Sequence, residues 1–234
     1  MKRLLAMLLA LMMLLAFAAC GKDNTTKETT TETNAETTTN APANNDIAVD
    51  TPVATDNNAI LAGPTNVFRG GVSDNSYSSA FNGVTFTADE TWTFYTDEEI
   101  ASLTGLSADA IANENFQSTI DTEGGAYDVM AVRISSEGVM EAMFSLSYIN
   151  GNDASLESMT LEDLVKLTAE SSGSDLSNTE SKKVTYGGQE YYQLVCTNEK
   201  SISYISACEM DGVIVFITAA ATPDCGVDFS KMIK

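Results

Sequence analysis

The run Val213-Ile214-Val215-Phe216-Ile217 is apolar at every position. A strand with one wet face alternates apolar and polar residues, so an unbroken run belongs to a strand buried on both faces. Such a strand lies mid-sheet with helices above and below. The preceding segment Ser201–Met210 alternates only loosely, as an off-centre partner does, and Asp211-Gly212 joins the two. Gly187-Gly188 joins Val184–Tyr186 to Gln189–Thr197 in the same way, and Asn82-Gly83 between Tyr77–Phe81 and Val84–Thr87 reads as a type I′ hairpin turn. Tyr127–Ser135 and Glu141–Ile149 read as two further strands.

Two helices stand between these hairpins. Thr96-Asp97-Glu98-Glu99 is a capping box: the Thr96 hydroxyl can accept the Glu99 N–H while the Glu99 carboxylate reaches back. Ile100 and Leu103 then share a face, and Gly105 stops the helix. Thr160-Leu161-Glu162-Asp163 opens the second, with Leu161, Leu164, Val165 and Thr168 as its inward stripe. The fold class that follows is α/β: an α/β/α sandwich around a largely antiparallel sheet, in one domain over residues 63–234. That length buries roughly 70% of the surface its unfolded chain exposes, without staples.

The N-terminus has a different character. Lys2 and Arg3 precede an apolar run from Leu4 to Ala19, and Lys22 and Asp23 follow. As a helix the run would span roughly 24 Å, short of the ~30 Å hydrocarbon core, which suits an export signal rather than a permanent span. It ends Phe17-Ala18-Ala19-Cys20-Gly21, which resembles a bacterial lipobox, with Phe17 where that pattern usually has Leu. The resemblance implies cleavage after Ala19 and a lipidated Cys20 as mature N-terminus, with acyl chains enough for stable anchoring to the outer face of the membrane. The alternative is a plain secretory signal cut after Ala16-Phe17-Ala18. Residues 20–62 are then mostly Thr, Asn, Ala, Glu and Asp, a composition that buries too little to offset its ordering entropy. The tract reads as a disordered tether, about 35 Å end to end and about 120 Å at full stretch.

A second resemblance runs through the domain. Phe81-Asn82-Gly83-Val84-Thr85-Phe86, then Glu90-Thr91-Trp92-Thr93-Phe94-Tyr95 and the capping box, are similar to the opening of PsbP-like domains. There an aromatic-x-Gly-hydrophobic-x-Phe hairpin and a Pro-x-x-Trp segment lead into the first helix; here Ala88-Asp89-Glu90 replaces the proline segment. Tyr186-Gly187-Gly188-Gln189-Glu190-Tyr191-Tyr192 also resembles that group, and uncharacterised surface lipoproteins of Gram-positive bacteria in particular. The resemblance implies an α/β/α sandwich and an accessory or binding role. It brings no catalytic residues.

The residue inventory excludes much chemistry. There is no histidine, so Ser-His-Asp and Cys-His catalysis, histidine metal ligation and a histidine pH switch are all absent. No G-x-S-x-G elbow, S-x-x-K pair, Walker loop or G-x-G-x-x-G occurs. Cys196, Cys208 and Cys225 form no C-x-x-C pair. Cys208 should face about Tyr191 across a hairpin, too far from Cys196 for a disulfide; a Cys196–Cys225 bond and three buried free thiols both stay open.

Asp97, Glu98, Glu99, Asp121, Glu123, Asp128, Glu162 and Asp163 supply carboxylates, but a chain this acidic forms such clusters as solvated surface. Asn150-Gly151-Asn152-Asp153 offers the hard oxygens calcium prefers without EF-hand spacing. Trp92, Tyr95, Tyr191, Tyr192 and Tyr204 could stack on sugars, yet strand aromatics ordinarily face the core. The sequence therefore assigns no catalytic residue, metal or cofactor.

Acids outnumber bases 33 to 12, a net charge of −21, which argues against nucleic acid. From Gly63 onward the count is 26 to 8, so anionic lipid is repelled and a basic protein surface attracted. The expectation is a non-enzymatic, membrane-anchored extracytoplasmic binding module for a protein partner or envelope component. A small-molecule binder and, behind it, a carboxylate-based hydrolase are the alternatives.

Overall fold

The computed structural model describes residues 66–234; Ala19, Cys20, the leader and the tract 20–62 lie outside the described residues. Among the described residues no helix is long and apolar enough to cross a membrane. The chain runs β1 (Gly71–Ser73), β2 (Ser76–Ser78), β3 (Thr85–Thr87), β4 (Trp92–Phe94), α1 (Asp97–Thr104), α2 (Ala108–Ile111) and α3 (Phe116–Glu123). It continues through β5 (Gly125–Ile134), β6 (Met140–Asn150), α4 (Leu161–Ser171), β7 (Thr179–Tyr186), β8 (Gln189–Thr197), β9 (Ile202–Met210), β10 (Val213–Ala221) and α5 (Phe229–Met232).

The run that is apolar at every position becomes β10, buried along its whole length and placed fourth in a seven-stranded sheet of order β4-β5-β6-β10-β9-β8-β7. All its pairings are antiparallel. The Asp211-Gly212 turn works because both residues take positive φ, 50° and 81°, which sets Met210 opposite Val213. The Gly187-Gly188 turn does the same at 57° and 83°, setting Tyr186 opposite Gln189.

Both faces of the sheet are covered. On one, Val213, Val215, Ile217, Ala219 and Ala221 of β10 join Ala142, Phe144, Leu146 and Tyr148 of β6. Over them lie a separate three-stranded sheet β1-β2-β3, Phe116 and Ile120 of α3 and Phe229 of α5. Phe86 of β3 stacks on Phe144 with centroids 4.0 Å apart and meets the edge of Trp92 at 5.1 Å.

On the other face α1 and α2 bring Ile100, Ala101 and Ile111 onto Tyr127, Met130, Val132 and Met143. Beside them α4 brings Leu164, Val165 and Ala169 onto Leu194, Cys196, Ile205, Ala207, Ile214 and Phe216. Fully burying Leu164 and Val165 contributes about 1.5–3 kcal/mol each. Both helices start as their capping boxes dictate: Thr96 accepts from the Glu99 N–H and Thr160 from the Asp163 N–H, and both boxes close reciprocally. The fold is thus α/β, a large antiparallel sheet flanked by helices, with the small sheet sharing the cover of one face.

One local expectation is corrected, and one open reading is decided. Asn82-Gly83 is not a two-residue turn, because pairing between β2 and β3 stops at Ser78↔Thr85 and a wider loop intervenes. Asn82 keeps negative φ, since its side chain turns inward: Oδ1 accepts from Val84 N at 2.9 Å and Nδ2 donates to Tyr148 Oη at 3.2 Å. The two-residue turn is Asp74-Asn75, φ 48° and 59°, between β1 and β2.

Between the two cysteine readings, the structure has free thiols. Cys196 packs under α4 while Cys225 packs against the cluster on the opposite face, so no disulfide joins them; both are free, with Cys225 half-buried. Cys208 does fall beside the Tyr191 position, one residue beyond the Tyr192↔Ala207 pair.

Gly187 holds the β7–β8 hairpin against the 79–84 loop. A Cβ there would lie 2.1 Å from the Asn82 carbonyl oxygen, whereas one on Gly188 meets open space. Gly187→Ala should therefore cost about 2–4 kcal/mol, from strained φ plus overpacking, against about 1–2 kcal/mol for Gly188→Ala. Urea unfolding of the two variants measures this; equal losses would mean that the loop does not rest on the hairpin.

Candidate functional site

Two features of the domain concentrate polar atoms in non-solvent surroundings. The first is Asp128. A bulge between Tyr127 and Val129 in β5 takes Asp128 out of register, and its carboxylate points into the face covered by the small sheet. Its side chain is 0% exposed. Oδ2 accepts from Tyr77 Oη of β2 at 2.5 Å and from Tyr148 Oη of β6 at 3.1 Å, while Oδ1 accepts from Gly70 N at 2.9 Å.

Arg69 completes the group. Its Nε stands 3.8 Å from Asp128 Oδ1, Nη2 donates to the Asp128 carbonyl at 2.7 Å, and Nη1 donates to Asp97 Oδ1 at 2.6 Å and to the Ile111 carbonyl at 3.1 Å. The guanidinium also lies over the Phe116 ring, 5.8 Å from its centroid. Tyr148 Oη in turn accepts from Asn82 and contacts Ser79 Oγ at 3.2 Å.

Burial pushes the Asp128 carboxyl above its ordinary range, and this outweighs the downward pull of the tyrosine and Gly70 hydrogen bonds and of Arg69. Burial, then the adjacent carboxylate, holds the Tyr77 and Tyr148 phenols far above theirs. The cluster borders a polar hollow of about 310 Å³, and the carboxylate accepts three internal hydrogen bonds, two on Oδ2 and one on Oδ1. It is built as an acceptor hub that joins separate segments.

The second feature is a groove of about 650 Å³ on the opposite face, at the end of the sheet where β6 begins and β10 ends. Its apolar wall is Met140, Met143 and Ala220, which belong to the α1–α2 side, and Ser203 of β9 continues the floor. The far wall is the end of α4 and the β8–β9 turn, with Ser172, Ser174, Asp175, Asn198, Glu199 and Lys200.

The groove exists because the strands carry small residues here: Ala220 pairs with Ser203 and Met143, and Thr218 with Ser145. Asn198 shapes the turn by accepting from Lys200 N and Ser201 N at 2.8 Å each. Cys196 lies under α4, and burial keeps its thiol pKa raised, so it is not a poised nucleophile.

Of the carboxylates singled out in the sequence, Asp97 and Asp128 meet through Arg69. Asp163 closes its own capping box and Glu162 pairs with Lys166 at 2.6 Å. The aromatics divide by face: Trp92 and Tyr191 are buried, and Tyr204 packs edge-on to Phe229 with centroids 5.7 Å apart. Tyr95 and Tyr192, half-buried, pack on the helical side. No aromatic lines the groove. In the Asn150–Asp153 loop, Asn150 Oδ1 accepts from Asn152 N and Asp153 Oδ1 from Ser155 N, so both side chains close local turns. Among the described residues no group of three or more Cys, Asp or Glu is disposed to hold a metal.

Arg69 and the groove residues went unremarked in the sequence. The available signals were Asp128 amid the apolar stretch Ala126–Val132 of β5 and an alanine run, Ala219-Ala220-Ala221, ending the central strand.

No family model matches the chain, and no curated protein does. Among the solved structures that match is one from Bacteroides thetaiotaomicron VPI-5482, 12% identical, with a TM-score of 0.32, covering 68% of this chain and 46% of that one. The chain thus spans about half the length of that structure, and at this score the likeness carries no argument.

The hub makes a signed prediction. Because the folded state holds the Asp128 proton more tightly than the unfolded chain does, stability falls as pH rises from the ordinary Asp range through the raised folded pKa. The stability of the natural chain minus that of Asp128→Asn should therefore fall as pH rises through that window and level off above it. Chemical unfolding from pH 3 to pH 8 reads it, and a difference that grows with pH would overturn the assignment. Tyr77→Phe, which removes the 2.5 Å donor, should cost about 1–3 kcal/mol.

Proposed function

We propose that the chain is a membrane-anchored, extracytoplasmic lipoprotein that acts by binding rather than by catalysis, with a PsbP-like domain held off the membrane by the tract 20–62. The observation that carries the binding part is the end-of-sheet groove. It is concave, apolar at its floor and ringed by a few polar groups, and its volume falls in the range of small-ligand sites. The most deeply buried carboxylate, by contrast, holds three internal hydrogen bonds from three separate segments, which favours a structural role for it.

The charge balance supports a basic partner surface, and the groove supports a small ligand; the second is the more specific of the two observations. The anchoring part rests on Phe17-Ala18-Ala19-Cys20-Gly21 alone.

Cys20→Ala should move most of the protein from the membrane fraction to the medium and abolish incorporation of labelled fatty acid. Retention in the membrane would refute the anchor. Hydrolysis of a cell-wall or peptide substrate by the purified protein would refute the non-enzymatic part.

A further inference from the structure

We infer that the end-of-sheet groove takes a small amphiphilic amine, its apolar body on Met140, Met143 and Ala220 and its ammonium group at the α4 end. The inference deepens the binding reading above and rests on it. The floor belongs to the α1–α2 side's apolar cluster, with Met140 half-buried at its edge, and the hollow forms because Ala220 and Ser203 are too short to fill the space beneath the end of α4. An apolar body gains by covering that surface.

The head-group assignment comes from the rim. The α4 helix ends there with no basic residue in its last turn, and Glu170 stands in that turn. A helix C-terminus carries partial negative charge that a cation complements, and α4 supplies none of its own.

Around this end lie Asp175 and Glu199, both exposed, against Lys200. The remaining acid, Glu141, already has Arg133 at 3.4 Å. Burial plays little part in the charge of Asp175: hydrogen bonds from Ser177 hold its carboxyl below the usual range, so it stays ionised.

The hydroxyls of Ser172 and Ser174 supply further acceptors for N–H donors. A carboxylate or phosphate head would meet the helix end, two free acids and the field of a strongly acidic domain. A neutral head would forgo all of these.

The test uses the full chain with 13C-methyl-labelled methionine and three probes that share one tail: octylamine, octanoate and octanol. Octylamine should shift the Met140 and Met143 methyl signals and bind at least tenfold more tightly than either other probe. The double variant Asp175→Lys, Glu199→Lys alters only exposed side chains. It should weaken octylamine at least tenfold and make octanoate the preferred probe.

Equal binding of the three probes, or shifts that spare Met140 and Met143, would overturn the inference. So would a result in which a basic apolar peptide moves these methyls and octylamine does not, since the occupant would then be a protein segment. None of these outcomes bears on Cys20 or on the membrane fraction, so the anchor stands or falls separately.

Discussion

The carboxylate of Asp128 is the point on which separate parts of the domain converge. The small sheet reaches it through Tyr77, the large sheet through Tyr148, the entering chain through Gly70 and Arg69, and the 79–84 loop at one remove through Asn82. Burying a carboxylate is unfavourable by several kcal/mol, and only a full set of donors offsets it. The chain meets part of that demand with two phenols, one backbone amide and a nearby guanidinium, and the raised pKa of the carboxyl reflects the remainder. Each donor comes from a different segment, so the carboxylate is satisfied only when all of them are in place. The hub therefore adds specificity to a face whose packing is otherwise aromatic and adaptable, such as the Phe86–Phe144 stack.

Arg69 extends the same logic to the far side of β5. It is tied at once to Asp97 in α1, the Ile111 carbonyl ending α2, and Asp128. It spans the boundary between the two packed faces. Val67, just before it, is buried in the small-sheet cluster, and its N–H donates to Gln117 of α3 at 2.8 Å. The segment 67–70 thus works as a strap fixed on both sides. That explains why Arg69, one of the few bases in so acidic a domain, has a side chain only 14% exposed.

Local chemistry made much of this legible. The unbroken apolar run placed β10, Gly187-Gly188 and Asp211-Gly212 set two registers, and Thr96 and Thr160 started two helices, because each rests on neighbours within a few residues. What was not legible depends on distant partners. Asn82-Gly83 has the composition of a tight turn, but Tyr148, 66 residues away, draws the Asn82 side chain inward and opens the loop. Asp128 has the composition of a surface charge, and only the bulge in β5 and Tyr77, 51 residues earlier, make it a buried one. The α3 helix has an Asn115 N-cap without a side-chain bond, so no capping motif marks its start. The groove is the extreme case, since a hollow is defined by side chains that are too small, drawn from β6, β9 and β10 together.

Hub and groove lie on opposite faces, and β10 serves both by strict alternation. Its odd-numbered residues Val213, Val215, Ile217 and Ala219 pack under the small sheet, while Ile214, Phe216 and Ala220 face the helices. Period-two geometry lets one strand satisfy two unrelated requirements, because a change on one face leaves the other's side chains untouched. The chain enters on the hub face, through the strap that buries Val67.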